Sequence, residues 1–186
     1  LRRWLSSAEI ELAISQKRLF FRAQVKDESD ADSSKLETFS LPLSYYQYPD
    51  YNSFVSKLDT EDVSTLTIDR LELMDALDRV AIFTTDNNRC AYFVFQGSNE
   101  LSLRSQGQEA GEASETLECT FAGSLPKVAF PTKDITEILG HFHSAKVSFA
   151  LTGAEGPCGI TGEEDPDSLV IIMPMKIVEE TYYSEE

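Results

Sequence analysis

Apolar positions along the chain follow two rhythms that take turns. Ser64-Thr-Leu-Thr-Ile68 alternates with the period of a strand, and from Arg70 to Phe83 the residues Leu73, Met74, Leu77, Val80 and Ala81 recur at helical spacing. The strand rhythm returns in Cys90–Gln96, Glu100–Gln106 and Glu115–Ala122. The cycle then restarts. Lys127–Phe130 predicts a strand, and Thr132–Phe142 predicts a helix with Ile135, Ile138, Leu139 and Phe142 on one face. Lys146–Thr152, Cys158–Gly162 and Leu169–Ile177 predict three more strands. The order is βαβββ, twice, which makes the fold class α+β with Leu73 equivalent to Ile135 and Leu77 to Leu139. A helix stripe and a sheet face must each be buried against a neighbour, so two such units belong together.

The N-terminal part carries the same rhythm with its front missing. Leu1-Arg-Arg-Trp-Leu5 has the character of the last turns of a helix, and Glu9–Ser15, Leu19–Gln24 and Thr38–Leu43 predict three strands. A helix stump followed by three strands implies that the native protein extends upstream. Between the second and third strands, Lys26–Lys35 is polar and acidic and predicts a long, mobile hairpin loop. Tyr45–Tyr51, "YYQYPDY", leads through a linker at Asp59–Asp62 into the next domain. The expected division is therefore residues 1–58, residues 59–178 and an acidic tail over residues 179–186.

With 186 residues, 41% hydrophobic and 26% charged, the chain has the make-up of a folded domain with a sizeable core. No apolar run is long enough to span a bilayer, and nothing at Leu1 resembles a signal peptide. Cys90, Cys119 and Cys158 are an odd, scattered set, which suits buried free thiols in a reduced, cytoplasmic setting. The net charge of −16 opposes a broad phosphate-binding surface, although a sum does not exclude a local basic face. No Ser-His-Asp set or nucleotide motif stands out, so catalysis is not expected and no cofactor is implied. His141-Phe-His143 lacks neighbouring ligands and is read as polar helix-end residues rather than a metal pair. Gly153-Ala-Glu-Gly-Pro157 lacks the Gly-Lys-Ser/Thr of a phosphate loop and predicts a hairpin turn.

The most informative stretch is Ser168–Ile177, "SLVIIMPMKI". Its first half suits a buried strand. Pro174 cannot donate to a ladder, so pairing stops there. Met173 and Met175 flank it, and methionine suits soft surfaces that accept varied partners. They are either core residues at a strand end or the wall of a groove.

Tandem βαβββ units ending in "VIIMPMKI" resemble the bacterial sliding clamp family, the beta subunit of DNA polymerase III. "YPDY" (Tyr48–Tyr51) is similar to the Phe-Pro-x-Tyr element that closes the family's middle domain. "LDRVAIFT" (Leu77–Thr84) and "GQEAGEASETLECTFAG" (Gly107–Gly123) resemble its Arg-containing helix end and the acidic segment and strand that follow. The resemblance covers Leu1 to Ile177, the second half of the middle domain and the whole of the last. It implies a clamp fold with helices inside a ring, sheets outside, and two subunits encircling duplex DNA without sequence preference. Polymerase and clamp-loader peptides would enter a groove between the middle and last domains. Carried onto this chain, that groove comprises Pro49, Pro157, Cys158, Ile171, Ile172, Met173, Pro174 and Met175. Arg2, Arg3, Arg70, Arg79 and Lys133 would face DNA. Ile82 and Phe83 are either core or part of the subunit interface. The full-length protein would be a homodimer and this piece, lacking the first domain, a monomer. Val178–Glu186 extends beyond the strand at which a clamp typically ends, and Glu72, Asp75 and Asp78 make the first helix face acidic. The alternative reading is a clamp-like paralogue that binds peptides without encircling DNA.

Overall fold

A computed structural model describes residues 9–27, 30–60, 62–84, 89–107 and 111–177, with the backbone alone for residues 25–27, 30–35 and 107. The expected helix end at Leu1–Leu5, Arg2, Arg3 and the tail beyond Ile177 lie outside the described residues. The chain divides into two compact units, Leu1–Pro49 and Asp50–Glu186.

The first unit is an antiparallel meander of β1 (Ile10–Ile14), β2 (Arg18–Asp27) and β3 (Asp30–Pro42). Its register sets Leu12 opposite Phe21 and Phe21 opposite Phe39, so alternation gathers one apolar face. The rings of Phe21 and Phe39 lie 6.3 Å apart on that face. The mobile loop expected over Lys26–Lys35 is corrected here: the ladder continues through Val25–Lys35 and Lys26–Ser34 before its register shifts. Main-chain pairing does not depend on apolar side chains, so a polar hairpin arm kept its strand conformation where hydrophobic patterning failed.

The second unit begins with a short helix that the periodicity missed, α1 (Asn52–Leu58), followed by β4 (Ser64–Asp69) and α2 (Arg70–Ala81). Strands β5 (Cys90–Gln96), β6 (Glu100–Gly107) and β7 (Gly111–Ala122) complete the first βαβββ copy. The second copy is β8 (Lys127–Pro131), α3 (Thr132–Leu139), β9 (Lys146–Leu151), β10 (Cys158–Gly162) and β11 (Asp165–Ile172). The last strand starts earlier than expected and ends at Ile172 instead of Ile177. Both predicted helices are shorter at their carboxyl ends.

All eight strands form one sheet in the order β11-β10-β9-β4-β7-β6-β5-β8. The two copies are interleaved: β4 pairs with β9, and β8 pairs with β5. Leu66 opposes Phe149 in one cross-pair, and Val128 opposes Phe93 in the other. These matched pairs define a pseudo-twofold relation. Phe93, Phe130 and Phe149 meet near its centre with ring separations of 5.2–6.3 Å. Leu73 and Leu77 of α2 and Ile135 and Leu139 of α3 are fully buried in the same core, as the repeat requires.

Local chemistry fixes both helices on one face. Asp69 Oδ1 accepts from the amides of Leu71 and Glu72, capping α2. Arg70 begins α2 but serves α3: its Nε donates to Ser144 O at 2.8 Å and its Nη1 to Leu139 O at 3.5 Å. A cation at the carboxyl end of a helix opposes the negative pole of its dipole. The expected turn at Gly153–Pro157 closes the β9–β10 hairpin, with Thr152 Oγ1 donating to Pro157 O at 2.8 Å.

Candidate functional site

The pseudo-twofold relation allows the two copies to be compared residue by residue. In the first, Leu101 opposes Leu117 and Ser102 opposes Thr116. In the second, Cys158 opposes Ile172 and Gly159 opposes Ile171. Leu117 therefore matches Ile172, both in the core. Stepping by two, Ser114, Thr116, Glu118 and Thr120 on β7 match Leu169, Ile171, Met173 and Met175. These positions lie on the face away from α2 and α3. In the first copy all four are exposed and polar. In the second all four are apolar, with Leu169 44%, Met173 48% and Met175 36% exposed and Ile171 half-buried. The register is shared, and the outward chemistry is opposite.

One proline explains where the β10–β11 ladder stops. Glu100 pairs with Glu118 in the first copy, and the matching positions in the second are Pro157 and Met173. Cys119, whose amide donates to Asn99 O at 3.0 Å, is matched by Pro174. Pro174 lacks the donor that continues the ladder, whereas the main chain of Pro157 faces β9, where it accepts from Thr152 N at 3.4 Å. Farther on, Thr67 pairs with Thr120. Its counterpart is one main-chain bond among the described residues, from Met175 N to Ala129 O at 2.8 Å. Met175 thus stays tethered to β8 by its amide, beyond the end of β11 at Ile172.

Several expected groove residues take other places. Cys158 and Ile172 point into the core, and Pro157 is buried. The groove reading is corrected for Cys158 and Ile172, because strand alternation turns them away from the outward stripe. Burial pushes the Cys158 thiol far above its ordinary pKa, which leaves it a neutral packing group. Pro49 is exposed at the end of the first unit. Leu169 and Leu58 were not foreseen. Leu58 Cδ1 approaches Gly159 on the outward face, beside Leu169. The alternation of Leu169 with Ile171 and Met173 was the available signal.

Of the residues expected to face DNA, Arg70 is half-buried and committed to the end of α3. Arg79 forms a two-pronged ion pair with Glu115, both contacts at 2.6 Å. That guanidinium holds the Glu115 carboxyl below its ordinary range. Lys133 is exposed on α3 and lines a cleft of about 390 Å³ with Asp78, Arg89 and Glu137. Ile82 is exposed just beyond α2 and Phe83 is half-buried.

A second polar cluster braces the β10–β11 hairpin. Asp165 Oδ2 accepts from the Ser144 hydroxyl at 2.6 Å and from the amides of His143 and Ser144 at 2.9 Å. The Ser144 hydroxyl in turn accepts from Glu164 N at 2.8 Å. These bonds, led by the Ser144 hydroxyl, hold the Asp165 carboxyl below its ordinary value.

Interleaved βαβββ copies with paired helices on one sheet face define the fold of the DNA clamps. Solved structures agree: Caulobacter crescentus pol III beta superposes with a TM-score of 0.75 at 20% identity, over 95% of this chain and 44% of that one. The sliding clamp of Bartonella birtlesii, bound to griselimycin, gives 0.73 at 20% identity, over 90% of this chain and 41% of that one. In sequence, the beta sliding clamp of Chlamydia pneumoniae is 29% identical over 131 residues, covering 70% of this chain and 34% of that protein. That of Rickettsia bellii is 23% identical over 181 residues, covering 92% of this chain and 44% of that protein. The family described as DNA polymerase III beta subunit, C-terminal domain, matches residues 57–176, and the chain belongs to that family. It spans less than half the length of these relatives, 34% and 44%.

Proposed function

We propose that this chain is the partner-binding part of a DNA polymerase processivity clamp, in which the outward stripe of β11 and the Met173–Met175 segment receives short peptides with apolar anchors. One observation carries the reading: Leu169, Ile171, Met173 and Met175 stand where the sister copy has Ser114, Thr116, Glu118 and Thr120. An apolar row kept in water on one of two otherwise matched strands is the mark of a binding surface. Thioethers adapt to more than one partner. In the whole protein, Pro49 would add a second wall, two subunits would surround duplex DNA, and polymerase and clamp-loader peptides would be the ligands. Residues 1–58 would then be the second half of the middle domain, 59–178 the last domain and 179–186 a tail. The role is that of a non-catalytic cytoplasmic subunit; no helix among the described residues is long and apolar enough to cross a membrane.

Griselimycin, the ligand on the Bartonella birtlesii and Pseudomonas aeruginosa clamps, serves as the probe. The chain has three methionines, so a methyl-labelled sample gives three signals, for Met74, Met173 and Met175. Binding should move the last two and leave Met74 in place. Removing a central anchor contact costs on the order of 2 kcal/mol. Met175→Ala should therefore weaken binding about thirtyfold, while Thr120→Ala, its partner in the repeat, changes nothing. Equal affinity for Met175→Ala and the parent would overturn the reading.

A second reading, a clamp-like peptide-binding module that does not encircle DNA, is favoured by the helix surface. Arg70 and Arg79 are tied to intramolecular partners, while Glu72, Asp75, Asp78, Asp134 and Glu137 are exposed. Phosphate contacts release counterions, so gripping through this face would make affinity fall steeply with salt. The full-length protein on circular duplex DNA should instead show retention that varies little with salt under the ring reading, and no retention under the second.

A further inference from the structure

The outward position of β10 is Gly159, where the sister strand β6 carries Ser102. Ser102 fills its site: its hydroxyl lies 3.3 Å from Ser114 Oγ and accepts from Arg104 Nε at 3.1 Å. Gly159 leaves the site to another element. A Cβ there would stand 2.5 Å from Leu58 Cδ1 and 3.3 Å from Leu169 Cδ1. Gly159 is not among the glycines with positive φ, so space rather than backbone conformation is what the missing side chain provides. Leu58 is the last residue of α1, and Phe54 and Val55 precede it by four and three residues on the same helix face. Gly159 pairs with Ile171, in the middle of the apolar stripe.

We propose that Gly159 is the positioning residue of the peptide groove: by leaving out a side chain it lets Leu58 seat on β10, and this seat sets the spacing between α1 and the outward stripe of β11. The spacing decides which apolar anchors fit between Phe54, Val55 and Leu58 on one side and Leu169, Ile171 and Met173 on the other. The inference rests on the reading of β11 as the peptide face. Carbon atoms in good contact sit about 3.5–4.0 Å apart. A methyl at Gly159 therefore forces the Leu58 side chain off its seat by roughly an ångström from its 2.5 Å approach, and loosens the hold of β10 on α1.

The test is a double-mutant cycle read by griselimycin titration and the methionine methyl signals. Gly159→Ala should bind about tenfold more weakly, within the range of couplings between touching residues. Its melting temperature should stay close to the parent's. Leu58→Ala, which keeps the glycine and removes the seat, should also bind more weakly. The double variant should bind nearly as Leu58→Ala does, because once Leu58 is short a methyl at Gly159 meets only Leu169 Cδ1, at 3.3 Å. Should Gly159→Ala fail to fold, Leu58→Ala and the double variant decide: unchanged binding by Leu58→Ala overturns the inference. Strictly additive losses in the cycle overturn it as well. If Met175→Ala weakens binding and Gly159→Ala does not, only the positioning role falls. If Met175→Ala has no effect, the peptide-face reading falls and the positioning role with it.

Discussion

The sister strands β7 and β11 share the register of their hairpins and the character of their inward residues, yet only one keeps an apolar outward row. β7 runs for 12 residues and bridges β6 to β4, whereas β11 runs for 8 and stops. The inward residues Leu117 and Ile172 are interchangeable in kind because the same core receives both. The outward residues are free of that constraint. What the contrast teaches is that the fold is written in one set of alternate positions, that the other set is free to carry the proposed binding surface, and that Pro174 marks where strand pairing gives way.

The largest effect should come from the part the copies share. Leu77→Ala and Leu139→Ala each remove a fully buried side chain from one core and should each cost about 2–5 kcal/mol. Denaturant melts of the two variants measure this. A small loss in one and a large loss in the other would break the equivalence of α2 and α3.

Pro174 provides the next test. Pro174→Ala restores an amide at the position matching Cys119, whose N–H bonds to Asn99 O. One further main-chain bond is worth about 0.5–1.5 kcal/mol. The new amide should show protection from hydrogen exchange, and ligand binding should weaken by up to about tenfold as the segment pairs instead of staying open. An amide that exchanges as fast as in an unstructured peptide would show that something other than proline keeps the ladder apart.

Much of this was legible in the sequence. Leu73, Leu77, Ile135 and Leu139 announced their helices because a buried stripe must recur every three to four residues. The interleaving of β4 with β9 was not legible, because periodicity records which face is buried and not which strand lies alongside. Met173–Pro174–Met175 stood out through the chemistry of proline and methionine alone. Cys158 and Ile172 were misplaced because proximity in sequence to those residues says nothing of side; alternation, counted back from Met173, would have turned both inward. Leu58 was hidden in a helix of 7 residues, too short for a stripe to show. Arg70 and Arg79 illustrate the opposite failure. Sequence reports a charge, and only the fold reports that Ser144 O and Glu115 have already engaged it.

The smallest effect concerns the brace on the second hairpin. Asp165 has a folded pKa below its ordinary 3.8, so its contribution is present above that value and lost as the pH falls through the lower, folded one. The difference in melting temperature between the parent and Asp165→Asn should be constant from neutral pH down to the ordinary carboxylate value, then shrink in more acidic solution. A difference that grew with acidity would mean that Asp165 does not accept its bonds as a carboxylate.

The exchange of strands between copies also governs how the chain is born. β4 cannot complete its pairing until β9 exists, and β5 must wait for β8. Phe93 finds its ring partners only when Phe130 and Phe149 have been made. On a ribosome, the first βαβββ copy therefore emerges with one edge of β4 and one of β5 unpaired and its aromatic centre incomplete. Folding is deferred until the second copy has left the exit tunnel, and long-range pairing of this kind is slow. Nascent chains halted before Phe149 would leave Leu66 without its cross-strand partner and Phe93 and Phe130 without their third ring, which should make them substrates for chaperones and proteases rather than working halves.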